Sequence, residues 1–194
     1  MTDSELFRAR GKAGKRERLM AASARVLYER GVERTTIADI AREAGVPVGN
    51  VYYYFKTKDE LIEAALAEHA AGLAETTAAL DELSDPRERL KTLVGEWIGQ
   101  RDLAARYGCP FGTLATELDK REGGLDQEAA RVLRLLLDWT ESQFRAMGQH
   151  DPAGLAISLI AAYQGMSVLT NVLRDPTIMS REGERLNAWL DSLG

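Results

Sequence analysis

The sequence predicts an all-α protein of about nine helices. Three observations carry this. Apolar residues recur at helical spacing along nearly the whole chain. No run shows sustained alternation with period two, the mark of a half-buried strand. Between the apolar stripes stand residues that start and stop helices: Thr, Ser or Asp at the front, Gly at the back. With 194 residues, 45% of them hydrophobic, the chain can bury a real core without disulfides or metals.

Taken in order, Leu19, Ala22, Val26 and Leu27 form the first stripe, closed by Gly31. Ile37, Ile40, Ala41 and Ala44 form the second, closed by Gly45. Val48 to Tyr54 is a short third segment. Thr57-Lys58-Asp59-Glu60 has capping-box spacing, with Thr57 as N-cap and Glu60 reaching back. It opens a helix through Ile62, Ala65, Leu66, His69 and Leu73. Asp85-Pro86 starts the next, which carries Leu90, Leu93, Val94, Trp97 and Ile98 and ends near Gly108. Pro110 opens a helix with Phe111, Leu114, Ala115 and Leu118, and Gly123-Gly124 breaks the chain after it. Helices are expected from about Leu125 to Met147 and from Asp151-Pro152 to about Arg174. A last one is capped by Ser180 and carries Leu186, Trp189, Leu190 and Leu193. Val132–Leu137 and Leu155–Leu173 are apolar nearly all round, so they must be covered on more than one side. Leu155–Leu173, with Leu186–Leu193, is read as a face for a second copy of the chain, the alternative being an interior helix of a monomer.

Several function classes are disfavoured. One cysteine cannot form an internal disulfide, which suits a reducing, cytoplasmic setting. No run of eighteen apolar residues suggests a transmembrane helix, and the N-terminus lacks the apolar core of a secretory signal. His69, His150 and Cys109 do not make an ordinary zinc site, so no metal and no cofactor is expected. The common nucleotide and hydrolase signatures do not occur. An enzyme would have to rest on carboxylates such as Glu96, Asp102, Glu117 and Asp138.

The net charge of −5 argues against a polyanionic partner, but its distribution reverses that. Residues 1–58 hold twelve Lys/Arg against seven Asp/Glu, and residues 59–194 hold thirteen against twenty-three. A basic front on an acidic remainder suggests that only the front meets a polyanion. The division expected is therefore 1–58 for nucleic acid and 59–194 for a second domain, which carries the face read for a second copy. Residues 36–58 read helix, short turn with Gly45, second short helix, which is the layout of a helix-turn-helix. In the second helix Gly49 permits close backbone approach, and Asn50 has the chemistry to bond an adenine edge. Tyrosine hydroxyls, Thr36 and Lys58 suit phosphate oxygens. Tyr52, Tyr53 and Tyr54 span too wide an arc to be buried together, so at least one is exposed. Arg8, Arg10, Lys12, Lys15 and Arg16 form a basic arm ahead of the first helix, suited to a minor groove or phosphates.

This stretch resembles the DNA-binding domain of the TetR (tetracycline-repressor-like) family of bacterial regulators. Thr36, Ile40-Ala41, Ala44-Gly45-Val46, Gly49, Tyr52, Tyr54-Phe55, Lys58 and Leu61 match in order and without gaps, within about residues 12–62. The resemblance implies a repressor that binds a palindromic operator in double-stranded DNA as a homodimer and is released by a small molecule. It places Thr36 on phosphate, and Val48, Gly49 and Asn50 on bases. Tyr52 and Tyr53 fall on phosphates or thymine methyls, Tyr54 and Lys58 on phosphate, and Val51 and Phe55 pack inward. Two residues depart from the family pattern. Pro47 stands where a capping Ser or Thr is usual, and Val48 where Lys or Arg is frequent.

For the effector, the residues singled out are Trp97, Cys109, Phe111, Trp139, Phe144, Tyr163, Gln164 and Met166, aromatic surface with a few polar handles. Ordinary core packing is the alternative for each. Cys109, at an N-cap position before Pro110, has two readings, a reactive thiol at a helix N-terminus or a small buried hydrophobe. The helix from Thr57 to Leu73 joins the two halves and is the expected route between effector and DNA.

Overall fold

Three helices begin the same way, with an N-cap side chain followed by proline at the first helical position. The caps are Asp85, Cys109 and Asp151 before Pro86, Pro110 and Pro152. In this computed structural model residues 14–120 and 124–193 are described, and among them the chain forms ten helices and no strand. They are α1 (Lys15–Arg30), α2 (Ile37–Ala44), α3 (Val48–Tyr54), α4 (Lys58–Asp81), α5 (Pro86–Gly99), α6 (Arg101–Tyr107), α7 (Pro110–Leu118), α8 (Leu125–Ala146), α9 (Pro152–Leu173) and α10 (Thr177–Ser192).

The helix count exceeds the expected nine because the helix begun at Pro86 breaks at Gln100, which separates α5 from α6. Helix α4 runs past Leu73 to Asp81. The last helix starts three residues before Ser180. There Asp175 accepts the Thr177 N–H at 2.9 Å, one turn ahead of the expected cap. Thr57 caps α4 as expected, accepting the Glu60 N–H at 3.1 Å. Glu60, however, reaches back to the Lys56 N–H rather than to Thr57. The complete capping box belongs to α2, where Thr36 and Asp39 exchange hydrogen bonds.

The buried residues form three cores. The first joins α1 to α4 through Leu19, Val26, Ile40, Ala41, Val51, Phe55 and Leu61. The second, at the junction, gathers Leu27, Val32, Ile62, Leu66, Leu114, Leu118 and Ala129 from α1, α4, α7 and α8. The third fills the space among α4 to α6 and α8 to α10, with Leu90, Trp97, Leu136, Phe144, Leu159, Tyr163 and Leu186 fully or nearly buried. Helix α4 contributes to all three.

Leu186 and Leu190 of α10 are buried against the chain's own core rather than turned toward a second copy. A Cβ on Gly183 would stand 2.5 Å from Ile98, so α10 lies close on α5. Helix α9 is different. Tyr163, Met166 and Thr170 face inward, while Ile157, Val168, Leu169, Val172 and Leu173 are 52–71% exposed. By length and composition alone α9 is apolar enough to cross a bilayer, but its inner face is packed on the protein's own core.

Candidate DNA-binding surface and effector cavity

Gly45 ends α2 in the left-handed conformation (φ 62°, ψ 38°), and its N–H and that of Val46 return to the last turn. That turn sets α3 across α2 with Val51 fully buried and Phe55 behind it. The opposite face of α3 is open. Val48 is 42% exposed, Tyr52 47% and Tyr53 79%, with Gly49 and Asn50 exposed between them. A Cβ on Gly49 would meet nothing within 4 Å, so the fold itself does not require glycine there. Pro47 caps α3 without a side-chain hydrogen bond.

At the start of α2, Thr36 is committed to Asp39. Its hydroxyl and N–H hold the Asp39 carboxyl below the usual carboxylate range, with Arg42 adding to the effect. Lys58 donates from Nζ to the Val32 carbonyl, which also accepts the Thr35 N–H at 3.3 Å.

The second site is a cavity of about 250 Å³ among α4, α5, α7, α8 and α9. Trp97 and Tyr163 stack at 4.2 Å between ring centres and form its floor. Phe111 stands edge-on to His69 at 5.5 Å, and Leu73, Leu93 and Leu136 complete the apolar wall. Glu68 and Glu96, both exposed, stand at the rim with Thr76 and Gln100. Burial pushes the His69 imidazole below its ordinary value and the Tyr163 phenol well above its own. The buried Nε2 of His69 has no hydrogen-bond partner in the protein. The cavity thus offers a flat aromatic surface, a neutral imidazole and two carboxylates at its mouth.

Two sequence profiles match this chain. The one for bacterial regulatory proteins of the tetR family covers residues 19–65, and the one for the tetracyclin repressor-like C-terminal domain covers residues 86–184. The chain is 38% identical over 190 residues to the probable HTH-type transcriptional regulator ArpR of Pseudomonas putida, spanning 91% of this chain and 88% of that one. It belongs to the TetR family. Another relative is the HTH-type transcriptional regulator TtgR of Pseudomonas putida, 26% identical over 190 residues, 91% of this chain and 88% of that one. A TetR regulator from Legionella pneumophila shares the fold with a TM-score of 0.81 at 17% identity, over 92% of this chain and 96% of that one. As a TetR-family member the protein is a DNA-binding transcriptional regulator and not an enzyme.

On this TetR fold the residues singled out for DNA divide into three groups. Val48, Gly49, Asn50, Tyr52 and Tyr53 share the open face of α3. Tyr54 is half-buried against the first core, edge-on to Tyr53 at 5.1 Å. Thr36 and Lys58 sit at helix starts with intramolecular partners already in place. Of the basic arm, Arg8, Arg10 and Lys12 lie outside the described residues. Lys15 and Arg16 belong to the first turn of α1, where the Arg16 guanidinium stands 5.6 Å over the Phe55 ring.

Of the eight effector residues, the cavity brings together Trp97, Phe111 and Tyr163. Cys109 and Gln164 lie just behind it. Cys109 is 4% exposed, and its sulfur accepts from the Gly112 N–H at 3.3 Å and from Gln164 Nε2 at 3.4 Å. Trp139, Phe144 and Met166 are elsewhere. Trp139 donates its indole N–H to Asp81, Phe144 packs beside Trp189, and Met166 faces the groove between α9 and α10. Sequence reasoning treated them as one group because each is large and apolar, and composition cannot tell which side of a helix faces which cavity. It missed Glu68, His69, Thr76 and Gln100 as lining. The available signal was spacing, since 68, 72 and 76 form one i, i+4 row of α4, and 96 stands one turn before Gln100, the C-cap of α5.

Proposed function

We propose that this protein is a ligand-responsive repressor that acts in the cytoplasm. Two copies pair and lay their α3 helices into successive major grooves of a palindromic operator, about 35 Å apart. A small aromatic molecule entering the cavity releases them. The observation that carries the reading is the face of α3. Five consecutive-turn residues, Val48, Gly49, Asn50, Tyr52 and Tyr53, are exposed on a helix whose other side is anchored by fully buried Val51. An apolar and aromatic surface left in water, with an open glycine beside it, is suited to base edges and thymine methyls.

In this reading Asn50 bonds an adenine edge, Val48 and Tyr52 meet thymine methyls, and Tyr53 with Tyr54 and Lys58 reaches phosphates. Thr36 and the N–H groups at the start of α2 add a further phosphate position. The division at residue 58 then separates the DNA-reading part from the part that binds effector and partner.

Pairing is supported by α9. Ile157, Ala161, Gly165, Val168 and Val172 form one exposed stripe at i+4 and i+3 spacing. Beside it runs a groove of about 530 Å³ lined by Ala162, Met166, Leu169, Ile178, Arg181 and Arg185. A continuous apolar stripe of this length suits a two-fold interface with its own copy. For the effector, a release of ~100-fold needs ~2.7 kcal/mol of differential affinity between the two states.

The test is fluorescence anisotropy on a labelled duplex from the gene's own upstream DNA, with sedimentation of the same sample. Dimers that prefer this duplex to random competitor at moderate salt support the reading. Monomers, or equal affinity for both duplexes, overturn it.

A further inference from the structure

Gly72 stands in the interior of α4, a helix of 24 residues, where glycine is the poorest helix former after proline. A Cβ there would meet nothing within 4 Å, so the packing of the chain does not require glycine. It lines the cavity described above, one turn from Glu68 and one turn from Thr76. The missing side chain leaves room in the cavity wall. On the same wall the Nε2 atom of His69 is buried with no hydrogen-bond partner in the protein. A buried polar atom left this way calls for a partner that the chain itself does not supply. Burial keeps the imidazole neutral at pH 7, and a neutral imidazole can accept a hydrogen bond at Nε2.

The cavity is also one-sided in charge. Its lining includes the carboxylates of Glu68 and Glu96 and no Lys or Arg. Other surface carboxylates are tied to cations, Glu128 to Arg131, Glu141 to Arg145 and Glu182 to Arg185. Glu68 and Glu96 have no such partner among the described residues. They come from neighbouring helices, α4 and α5, so their charges add at the mouth. Beneath them the stacked rings of Trp97 and Tyr163 present π faces, which attract a cation and repel an anion. The volume of about 250 Å³ lies below the range usual for drug-sized ligands, so the occupant has one or two rings.

We infer that this cavity selects a small aromatic cation, an amidinium or a protonated nitrogen heterocycle, with His69 as the residue that receives its N–H. The inference rests on the repressor reading above and deepens it, by giving the charge and the hydrogen-bonding sense of the effector. The ring of the ligand lies against Trp97 and fills the space beside Gly72. Its N–H donates to Nε2 of His69, and Glu68 and Glu96 hold its charge at the mouth. An aromatic carboxylate of the same outline is rejected, because it would set an anion beside two carboxylates with no cation to receive it.

Three probes of one outline test this: 2-naphthamidine, which is cationic, 2-naphthamide, which is neutral, and 2-naphthoate, which is anionic. Isothermal titration calorimetry on the full-length protein gives their Kd values, and anisotropy of the labelled upstream duplex is read with the same probes. The amidine is expected to bind about tenfold or more tighter than the amide, with the naphthoate weaker still. Glu68→Gln combined with Glu96→Gln, both exposed, brings the amidine-to-amide ratio down to about threefold or less. His69→Phe keeps a ring beside Phe111 but removes Nε2, and weakens the amidine about fivefold or more. Gly72→Ala raises the melting temperature, since alanine is the better helix former, yet weakens the amidine about fivefold or more. A merely structural role for Gly72 would not separate those two effects. The ranking in the unaltered protein carries the test if a variant does not fold. The inference is overturned if the amide or the naphthoate binds as tightly as the amidine, if none of the three binds, or if the double glutamine variant leaves the ratio unchanged. Binding in the expected order that leaves the duplex in place upholds the ligand class and overturns release through this cavity. Failure of the unaltered protein to bind the duplex without any probe is seen separately in the anisotropy and overturns the repressor reading, while the ranking still decides the ligand class.

Discussion

Asn50 and Lys58 both lie within the helix-turn-helix, yet their surroundings assign them different tests. Asn50 is exposed on the open face of α3. Asn50→Ala is expected to relax preference at one operator position by ~1–3 kcal/mol, read as the ratio of affinities for single-base variants of the duplex. Lys58 is tied to the Val32 carbonyl, which leaves its charge in place for a phosphate. Lys58→Ala should lower affinity for specific and random duplex alike and flatten the logarithmic salt dependence by about one unit per subunit. It should also lower the melting temperature, because the buried Val32 carbonyl loses one of two donors and keeps only the Thr35 N–H at 3.3 Å. Equal effects of the two substitutions on specific and random DNA would contradict this division of roles. His69 gives a pH prediction. Burial holds its folded pKa below the ordinary 6.5, so the unfolded chain takes up the proton first. Stability is then lost as pH falls from about 6.5 toward the folded value and levels off beneath it. His69→Gln should show a smaller drop in melting temperature between pH 7.5 and 5.5 than the unaltered protein.

At the scale of elements, close approach decides more than hydrophobicity does. Helix α10 lies so near α5 that Gly183 has no room for a methyl group beside Ile98. Gly183→Ala is expected to destabilise by ~1–3 kcal/mol through overpacking, measured by urea denaturation. The same substitution at exposed Gly49 meets open space, so it should leave stability within about 1 kcal/mol and act on DNA affinity instead. The N-caps follow a similar logic. Thr36 closes a complete capping box at the helix that carries the DNA-reading turn, and Thr57 closes only half of one. The sequence pattern at Thr57 was the more conspicuous, since Thr-x-x-Glu is the commoner signature. Aspartate at position 39 does the same work on α2 with a shorter side chain.

At the scale of the molecule, the pairing proposed above is tested on α9, whose Ile157, Val168, Leu169, Val172 and Leu173 are exposed. Val172 is 71% exposed and makes little contribution to its own core. Val172→Glu should leave the helical circular dichroism unchanged and shift sedimentation from dimer to monomer. Operator affinity should then fall by about a hundredfold or more, because two half-sites are no longer bound as one. A dimer that survives a charge at both Val172 and Ile157 would place the interface elsewhere. The charge asymmetry belongs to this scale as well. Residues 59–194 carry ten more acidic than basic side chains and residues 1–58 five more basic than acidic, so the summed field favours a polyanion at the N-terminal part.

What the sequence determined by itself is local. Helix starts at Thr36, Thr57, Asp85, Cys109 and Asp151 and the stop at Gly45 follow from contacts within four residues along the chain. Val51 and Phe55 were expected to face inward from the family resemblance, and both are buried. The tertiary structure decided the rest. It separated Trp97, Phe111 and Tyr163 from Trp139, Phe144 and Met166, and added His69 and Glu68. It turned Leu186 and Leu190 inward while leaving one face of α9 exposed, and brought Glu117 to Val32 across 85 positions of chain. The physical reason is range. A cap or an apolar stripe is fixed by the geometry of one helix, whereas a cavity wall or a cross-domain hydrogen bond depends on how several helices pack, which no short window of residues encodes.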